Sequence, residues 1–212
     1  MPKQKPKLLL LDGDIFAFKA AAAVESEDDL GDGFIVLWSD FNTAMRQAVD
    51  RIESIKRQLG ADLVFFCHTD SKNWRKDVLP TYKANRKAVR KPIALAKLKE
   101  ALAAEYNGYI RHTLEADDCM GILATHPNWY PDYQKIIVSQ DKDLRTIPGW
   151  VFNPDKDSKP VEITPDEADR WHLAQSLAGD ATDGYGGCPN VGIATATAAL
   201  AELQGWEDYE HT

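Results

Sequence analysis

Short, almost entirely apolar runs recur along this chain and are separated by segments of helical periodicity. Three of these runs, Lys7–Asp12, Leu63–Cys67 and Lys135–Ser139, have the length and composition of strands buried on both faces of a parallel sheet. Val151–Asn153 and Val161–Ile163 are weaker strand candidates. The pattern therefore predicts a mostly parallel central sheet.

The segments between these strands predict helices. Ile15–Val24 is rich in Ala, and apolar residues recur every three or four positions in Ser39–Leu59, which Gly60 ends. Thr164–Leu177 opens with the Thr, Pro and Glu of a helix-capping pattern. The acidic, Gly-containing stretch Glu25–Gly33 is predicted to be a surface loop. Alternating strands and helices predict an α/β fold with helices on both faces of the sheet.

Acidic residues stand at the ends of the predicted strands and at the start of one predicted helix. The carboxyl ends of parallel strands meet at one edge of a sheet, where such folds bind their ligands. A single acid there is usually a turn or cap residue, whereas several together are hard to explain by capping alone. An all-oxygen ligand set selects hard cations such as Mg²⁺ or Mn²⁺, and a pair of such ions can hydrolyse a phosphodiester. The residues are Asp12, Asp70, Glu115, Asp117, Asp118, Asp141 and Asp143.

Positive charge is concentrated in one stretch of an otherwise acidic chain. The formal net charge is −8, yet Lys72–Lys99 holds ten Lys or Arg residues and one acid, Asp77. A charge run is usually solvated surface, but this one also contains Trp74 and Tyr82, and two prolines divide it into a short helix, a turn and a longer helix. A basic stretch beside an acidic cluster favours the binding of a phosphate backbone against bound cations.

The remaining composition narrows the class of protein. A chain of 212 residues can bury a sizeable core. Its three cysteines are widely spaced and form no CxxC pair, which fits a reducing cytoplasm and argues against a disulfide framework or a zinc site. No apolar run is long enough to cross a bilayer and no leader precedes Lys7, so we expect a cytoplasmic protein without a membrane partner.

Several motifs resemble, in order and spacing, those of the 5′-nucleases, the family of flap endonucleases and of the 5′-exonuclease domain of bacterial DNA polymerases. Within that family the chain is most similar to the 5′-to-3′ exonucleases of short-tailed lytic phages. The matching motifs are Asp12-Gly13, Trp74-Arg75, Tyr82-Lys83-Ala84-Asn85-Arg86, Glu115-Ala116-Asp117-Asp118, Ser139-Gln140-Asp141-Lys142-Asp143-Leu144 and Gly179-Asp180-Ala181-Thr182-Asp183-Gly184.

The resemblance implies a role for each matching residue. Lys83 and Arg86 would contact the scissile phosphate, and Tyr82 would stack on a terminal base. The metal ligands, direct or through water, would be Asp12, Asp70, Glu115, Asp117, Asp118, Asp141 and Asp143, with Asp180 and Asp183 as a distal pair. The further contacts to DNA would come from Lys19, Arg75, Lys87, Arg90, Lys91 and Gly192.

The resemblance also implies an activity and an architecture. The activity would be that of a 5′-to-3′ exodeoxyribonuclease using two Mg²⁺ or Mn²⁺ ions on DNA with 5′ ends or flaps, with RNA-primer removal from RNA–DNA hybrids as a further activity. The architecture would be a PIN-like 5′-nuclease fold, with a nuclease domain over residues 1–178, a basic helical arch at about 72–105 and a helical hairpin over 179–212. A potassium ion at the hairpin, a monomer, and a role in phage DNA replication in the host cytoplasm are further expectations.

One departure from the family pattern concerns that hairpin. The family's Gly-Ile-Gly-x-Lys-Thr-Ala is matched by Gly192-Ile193-Ala194-Thr195-Ala196-Thr197-Ala198, in which one Gly and the Lys have both become Ala. Two alternatives to an exonuclease stay open. A small acid-cluster ribonuclease would not need the arch or the Asp180/Asp183 pair. A nucleic-acid-binding paralogue with impaired catalysis would not need an acid at every ligand position. In this chain every predicted ligand position is acidic.

Overall fold

A computed structural model describes residues 5–84 and 90–201. The strands are β1 (Lys7–Asp12), β2 (Glu25–Asp29), β3 (Ile35–Ser39), β4 (Leu63–Cys67), β5 (Gln134–Val138), β6 (Gly149–Phe152) and β7 (Val161–Ile163). The helices are α1 (Gly13–Ala23), α2 (Phe41–Leu59), α3 (Arg75–Val78), α4 (Leu95–Glu105), α5 (Ala116–Thr125), α6 (Pro165–Ala178) and α7 (Ile193–Ala201). A short 3₁₀ helix, Lys142–Thr146, follows β5.

Five strands form one sheet in the order β4-β1-β5-β6-β7. β1 pairs in parallel with β4 on one side and with β5 on the other, so Leu10 stands between Phe65 and Ile137. β6 continues the parallel arrangement, and β7 pairs antiparallel to β6 at the edge. Because β1 has a strand on each side and helices on both faces, Leu8–Leu11 are fully buried. The predicted mostly parallel sheet is confirmed.

Helices cover both faces of this sheet, as predicted. Alternate residues of β1 point to opposite faces. Leu9 and Leu11 belong to the core that includes buried residues of α1, α2 and α4, whereas Leu8 and Leu10 belong to the core with α5 and α6. None of the helices in the described part of the chain combines the length and apolar character needed to cross a membrane.

The close approach of α1 to β4 explains the Gly that follows Asp12. A Cβ at Gly13 would lie 2.5 Å from the ring of Phe66 and 2.6 Å from the carbonyl oxygen of Cys67. Since real Cβ atoms do not approach other heavy atoms so closely, only Gly lets the chain turn from β1 into α1 here. This tight turn keeps the Asp12 carboxylate at the edge of the sheet.

The prediction of a surface loop over Glu25–Gly33 is wrong for most of its length. Glu25–Asp29 pairs antiparallel with Ile35–Ser39 and forms a separate two-stranded sheet. The backbone N–H of Leu30 donates to the Phe34 carbonyl (2.8 Å), and the N–H of Phe34 donates to the Gly31 carbonyl (2.9 Å), which closes the tip. The acidic composition misled the prediction because Asp and Glu are depleted in strands, and the partner strand supplies the β-forming residues.

The last described elements pack against each other. Thr164 and Glu167 form the predicted capping box at the start of α6. α7 lies along α6, and Ala174, Ala196 and Leu200 form a small core between them. The division of the chain at residue 178 stays a prediction. Residues 85–89, which include the predicted site residues Arg86 and Lys87, and residues 202–212 lie outside the described part of the chain.

Candidate active site at the carboxyl edge of the sheet

Asp12 and Asp141 are linked through a buried serine at the ends of two adjacent strands. Ser139 follows β5 directly and donates a hydrogen bond to Asp12 Oδ2 (2.7 Å). The backbone N–H of Asp141 donates in turn to Ser139 Oγ (3.0 Å). Asp12 is 3% exposed and Ser139 is 1% exposed, and they are the polar residues buried most deeply in the described chain. The ends of β1 and β5 therefore hold Asp12 and Asp141 close together at the carboxyl edge of the sheet.

The start of α5 brings three further acids to the same edge. Glu115 precedes the helix, and its backbone N–H donates to Asp118 Oδ2 (3.0 Å). Asp117 is electrostatically coupled to Asp12, Asp141 and Glu115. These hydrogen bonds and charge interactions bring together acids predicted from three separate segments of the sequence. We call Asp12, Glu115, Asp117, Asp118, Asp141 and Asp143 the acidic cluster.

Burial and mutual repulsion strongly disfavour negative charge at the centre of the acidic cluster. Burial raises the pKa of Asp12 to about 6, although the hydrogen bond from Ser139 opposes this rise. Burial and then the charges of Asp12, Asp141 and Glu115 raise the pKa of Asp117 to about 8. Burial and the charge of Asp141 also raise the pKa of Asp143. These carboxyl groups therefore lose their protons less readily than free ones do, and a cation beside them would favour the ionised form.

Cationic residues of the predicted arch lie on the rim of this cluster. Arg75 donates two hydrogen bonds to Asp118, both of 2.7 Å. Burial alone would raise the pKa of Asp118, but the hydrogen bonds from Arg75 and from the Glu115 N–H lower it overall. Lys83 Nζ lies 3.1 Å from Glu115 Oε1, and the Tyr82 hydroxyl donates to Glu115 Oε2 (2.8 Å).

The backbone of Lys83 is itself unusual. Its φ of 51° lies in the left-handed region, which residues other than Gly seldom adopt. Such a conformation persists only where surrounding contacts hold it, and it occurs preferentially at functional sites. The ion pair with Glu115 and a longer approach of Lys83 Nζ to Asp183 Oδ1 (3.9 Å) are contacts of this kind.

The loop after α6 brings Asp180 and Asp183 near the cluster from the other side. Tyr82 OH lies 3.5 Å from Asp183 Oδ2. Lys142 Nζ lies 3.6 Å from Asp180 Oδ2, and the charge of Asp180 acts on Asp143. The predicted distal pair therefore borders the cluster.

Other predicted residues have partners outside the cluster. Asp70 accepts hydrogen bonds from the backbone N–H groups of Thr113 (2.8 Å) and Ser71 (2.7 Å), which lower its pKa, so its carboxylate closes a turn. Lys19 is paired with Asp155 (2.9 Å). Among the remaining DNA-contact predictions, Arg90 is bound to Glu25 (2.6 Å), Lys91 is exposed, and the carbonyl of Gly192 accepts from the Ala196 N–H near the start of α7.

Three residues of the site were missed from the sequence. Ser139 was predicted as the end of a strand and as the first residue of a family motif, but no role in the site was assigned to it. A polar residue that closes a buried apolar run is a usable signal. Gln175 of α6 donates a short hydrogen bond to Asp143. Asp14 accepts from the Thr69 N–H and is paired with Lys99, and its charge acts on Asp12. The last two are long-range contacts that no local pattern indicates.

The donor chemistry of the cluster fits hard divalent cations, because every acidic side chain in it offers oxygen. As the side chains stand, no three Asp, Glu, His or Cys residues within 5–84 and 90–201 are arranged so that they could hold a metal ion. The rim carboxylates point at Arg75 and Lys83 instead, while burial and the neighbouring carboxylates raise the pKa of Asp117 at the centre. A metal ion would therefore have to displace these cationic side chains from the rim.

A parallel α/β sheet with an acidic cluster at its carboxyl edge, faced by a basic segment, is the arrangement that the resemblance to 5′-nucleases predicts. Residues 7–157 match the sequence profile described as "5'-3' exonuclease, N-terminal resolvase-like domain", and the chain belongs to that family. The chain is 38% identical over 192 residues to an exodeoxyribonuclease of Enterobacteria phage T3 and to an exonuclease of Escherichia phage T7. Each alignment covers 87% of this chain but only 63% and 64%, respectively, of the relatives.

Solved structures have the same fold. A protein of phage T5 co-crystallised with metal ions superposes with a TM-score of 0.70 at 17% identity, covering 97% of this chain and 78% of that one. A T5 5′-exonuclease with bound zinc gives 0.66 at 15% identity, covering 98% and 83%. The catalytic core of Rad2 in complex with DNA gives 0.54 at 12% identity, covering 99% and 66%. The predicted 5′-nuclease fold is confirmed.

Proposed function

We propose that this chain is a Mg²⁺-dependent 5′-to-3′ exodeoxyribonuclease that releases nucleotides or short oligonucleotides from the 5′ ends of duplex DNA. The observation that carries the proposal is the convergence of Asp12, Asp117 and Asp141 at one edge of the sheet, directly beside Arg75 and Lys83. Membership of the 5′-3′ exonuclease family supports the direction of cleavage. The name of the phage T3 relative, an exodeoxyribonuclease, supports DNA as the substrate.

The acidic cluster is where two divalent ions would be held. Asp12, Asp117 and Asp141 would be the central ligands, because their carboxylates already repel one another and gain most from a cation. Glu115 and Asp118 would join them after release from Lys83 and Arg75, with Asp143, Asp180 and Asp183 as ligands on the distal side and Asp70 as an outer, water-mediated one. Bound ions of this kind supply an activated water and neutralise the leaving oxygen.

Arg75 and Lys83 would take a second role if divalent ions were bound by the rim carboxylates. Both side chains would then be released from these carboxylates and would be available at the entrance to the cluster. A phosphate is the natural replacement, since Arg binds it through two parallel N–H groups and Lys as a point charge. Lys83, which reaches between Glu115 and Asp183, would contact the scissile phosphate and stabilise its developing charge, together with Arg86.

The remaining contacts would orient the strand without reading its sequence. Tyr82 would stack on the terminal base next to Lys83. The backbone of the single-stranded end would be held by Lys19, Lys87, Arg90 and Lys91, and the duplex by the helix that starts beyond Gly192, where a potassium ion would sit. Because the contacts of the basic residues would be made to phosphates, 5′ flaps and RNA–DNA hybrids would also bind in the site. A monomer acting in the cytoplasm of a phage-infected bacterium fits this role.

Cleavage of end-labelled substrates tests the proposal. The full chain is incubated with blunt duplex DNA, 5′-flap DNA, an RNA–DNA hybrid or single-stranded RNA, in Mg²⁺ or in EDTA. Asp141→Asn tests the cluster, and Asp132→Asn, a change of the same kind at an exposed acid, is its control. We expect Mg²⁺-dependent release of the 5′ label from duplex DNA that Asp141→Asn abolishes and Asp132→Asn leaves unchanged.

Three results would reject the proposal. Equal cleavage in EDTA would reject the metal mechanism. Cleavage of RNA alone would favour the acid-cluster ribonuclease. Binding of duplex DNA without cleavage in Mg²⁺ or Mn²⁺ would favour a paralogue that retains only the binding surface.

A further inference from the structure

The small sheet formed by β2 and β3, with its tip, projects from the nuclease fold and carries an unusual surface. We call residues Glu25–Ser39 the acidic hairpin. Both strands pair only with each other, and neither joins the five-stranded sheet. An isolated two-stranded ribbon is marginally stable in water unless its surface packs against something. Most of that surface is exposed here.

Exposed apolar side chains are concentrated on this hairpin. Leu30 is 70% exposed, Phe34 is 71% exposed and Trp38 is 52% exposed, and Ile35 and Val36 are also exposed. Five large apolar side chains within nine consecutive residues exceed the scattered exposure that is normal on a protein surface. Aromatic residues such as Phe and Trp are the typical anchors of protein interfaces.

The same hairpin is strongly acidic. It holds Glu25, Glu27, Asp28, Asp29 and Asp32, and no Lys, Arg or His occurs between Lys19 and Arg46. The Glu25 carboxylate anchors the hairpin to the end of the arch through Arg90 (2.6 Å) and the backbone N–H of Ile93 (2.7 Å). Within the described part of the chain, Asp28, Asp29 and Asp32 form no ion pair.

We infer that the acidic hairpin is a docking site for another protein, and that the docked segment is cationic, with Lys or Arg residues interleaved among apolar ones. Apolar side chains of the segment would cover Phe34 and Trp38, while its cations would face Asp28 and Asp29. The exposed apolar side chains of the hairpin thus specify the apolar residues of the partner, and its carboxylates specify the cationic ones.

The other occupants fit this surface less well. DNA is disfavoured because its phosphates would meet uncompensated carboxylates. A second copy in a symmetric contact would place the same acids opposite one another, which costs free energy. An anionic lipid surface would be repelled for the same reason.

Peptide binding to the full chain in EDTA tests the inference, independently of nuclease activity. The probe is a fluorescein-labelled peptide that alternates Lys with Leu, and the control peptide has Glu in place of Lys. Fluorescence anisotropy reports affinity, and hydrogen–deuterium exchange reports where the peptide lies. We expect saturable binding of the Lys peptide and added protection confined to residues 25–39.

Two variants of the hairpin separate its apolar and its charged contributions. Phe34→Ser/Trp38→Ser and Asp28→Asn/Asp29→Asn should each weaken binding by about tenfold or more. The matched controls are Ile110→Ser, at another exposed apolar residue, and Asp132→Asn/Glu162→Gln, which remove the same charge elsewhere and should bind as the unaltered chain does. If the apolar variant does not fold by circular dichroism, the charge variant still decides the question.

Four outcomes would overturn the inference. The first is a loss of peptide affinity in the charge control equal to that in Asp28→Asn/Asp29→Asn, and the second is binding of the Glu peptide as tight as that of the Lys peptide. The third is a loss of affinity for duplex DNA in the hairpin variants, and the fourth is a concentration-dependent dimer that those variants abolish. The last two would assign the hairpin to DNA or to a second copy.

Discussion

Arg75 and Asp118 form a bidentate ion pair, with both N–O distances at 2.7 Å. Asp118 lies in the acidic cluster, and Arg75 belongs to the short helix α3 at the start of the basic region. The pair therefore joins the two halves of the site by using a carboxylate that the proposed mechanism needs for a metal ion. Metal binding and the Arg75–Asp118 pair compete for the same oxygens.

This competition predicts that Arg75→Ala increases metal affinity. Removing the guanidinium frees both Asp118 oxygens, so Ca²⁺ or Mn²⁺ should bind several-fold more tightly, a gain of about 1 kcal/mol. Isothermal titration calorimetry in the absence of DNA measures it. Lys76→Ala, which removes an equal charge from the next, exposed residue, is the control. An identical metal affinity in all three proteins would show that Arg75 does not restrain Asp118.

The raised pKa of Asp117 predicts a pH dependence of stability in the metal-free protein. Its pKa of about 8 when folded lies above the ordinary value of 3.8, so the folded state binds the proton more tightly than the unfolded state does. The stability contributed by the protonated form is complete below about pH 4 and is lost as the pH rises towards 8. Asp12, with a pKa of about 6, contributes in the same sense at lower pH.

Asp117→Asn should therefore stabilise the metal-free chain at pH 8 by roughly 1–3 kcal/mol and flatten its pH profile. Urea unfolding in EDTA from pH 5 to pH 8 provides the measurement, with Asp132→Asn as the control. Saturating Mg²⁺ should remove most of the difference, because a cation relieves the same repulsion. A variant that is less stable than the unaltered chain at pH 8 would contradict this account of the cluster.

The Ser→Ala substitution should have different effects on stability at Ser139 and at Ser39. Ser139 bridges Asp12 and the Asp141 N–H, so Ser139→Ala should destabilise the fold by about 1–3 kcal/mol and slow cleavage. Ser39 Oγ is buried without a hydrogen-bond partner among the described residues, so Ser39→Ala should be neutral or stabilising. Chemical denaturation and single-turnover cleavage distinguish the two. Equal changes in stability and cleavage rate in the two variants would show that Ser139 has no role in the site.

Lys83→Ala should affect the chemical step more than the binding of DNA. Loss of a group that stabilises charge in the transition state slows such steps by about 10²–10³-fold. Single-turnover rates at saturating enzyme, measured beside the dissociation constant of duplex DNA in Ca²⁺, separate the two effects. Lys76→Ala should change neither by more than a small factor. A Lys83→Ala variant with an unaltered rate would place Lys83 outside the catalytic group.

The sequence was sufficient to predict the elements that are defined by burial. The run Lys7–Asp12 was predicted as a buried strand, and it is covered on every side. Leu63–Cys67 was predicted as a second buried strand, and the structure shows it paired in parallel with the first. Ser39–Leu59 was predicted almost to its ends, because its buried stripe and its Gly cap are both local signals. The five-stranded order also places the predicted acids at one edge, since β1 and β5 are neighbours.

Contacts that depend on tertiary structure were not predictable. Nothing local shows that Ser139 joins two strand ends, or that Gln175 reaches Asp143 from a helix 32 residues away. Asp70 was predicted to be a metal ligand because it lies just past the end of a strand, yet its oxygens accept hydrogen bonds from the backbone N–H groups of Ser71 and Thr113. The β2–β3 hairpin escaped prediction because pairing with an apolar strand outweighs the low strand propensity of its acids.

The central claim is that acids from separate segments form one site for divalent ions beside a cationic entrance. Anomalous diffraction from crystals of the full chain soaked in Mn²⁺ tests it most directly. The account predicts one or two Mn²⁺ peaks within coordination distance of Asp12, Asp117 and Asp141, with the Arg75 guanidinium moved away from Asp118. Peaks confined to other surfaces, with the Arg75–Asp118 pair still intact, would contradict it.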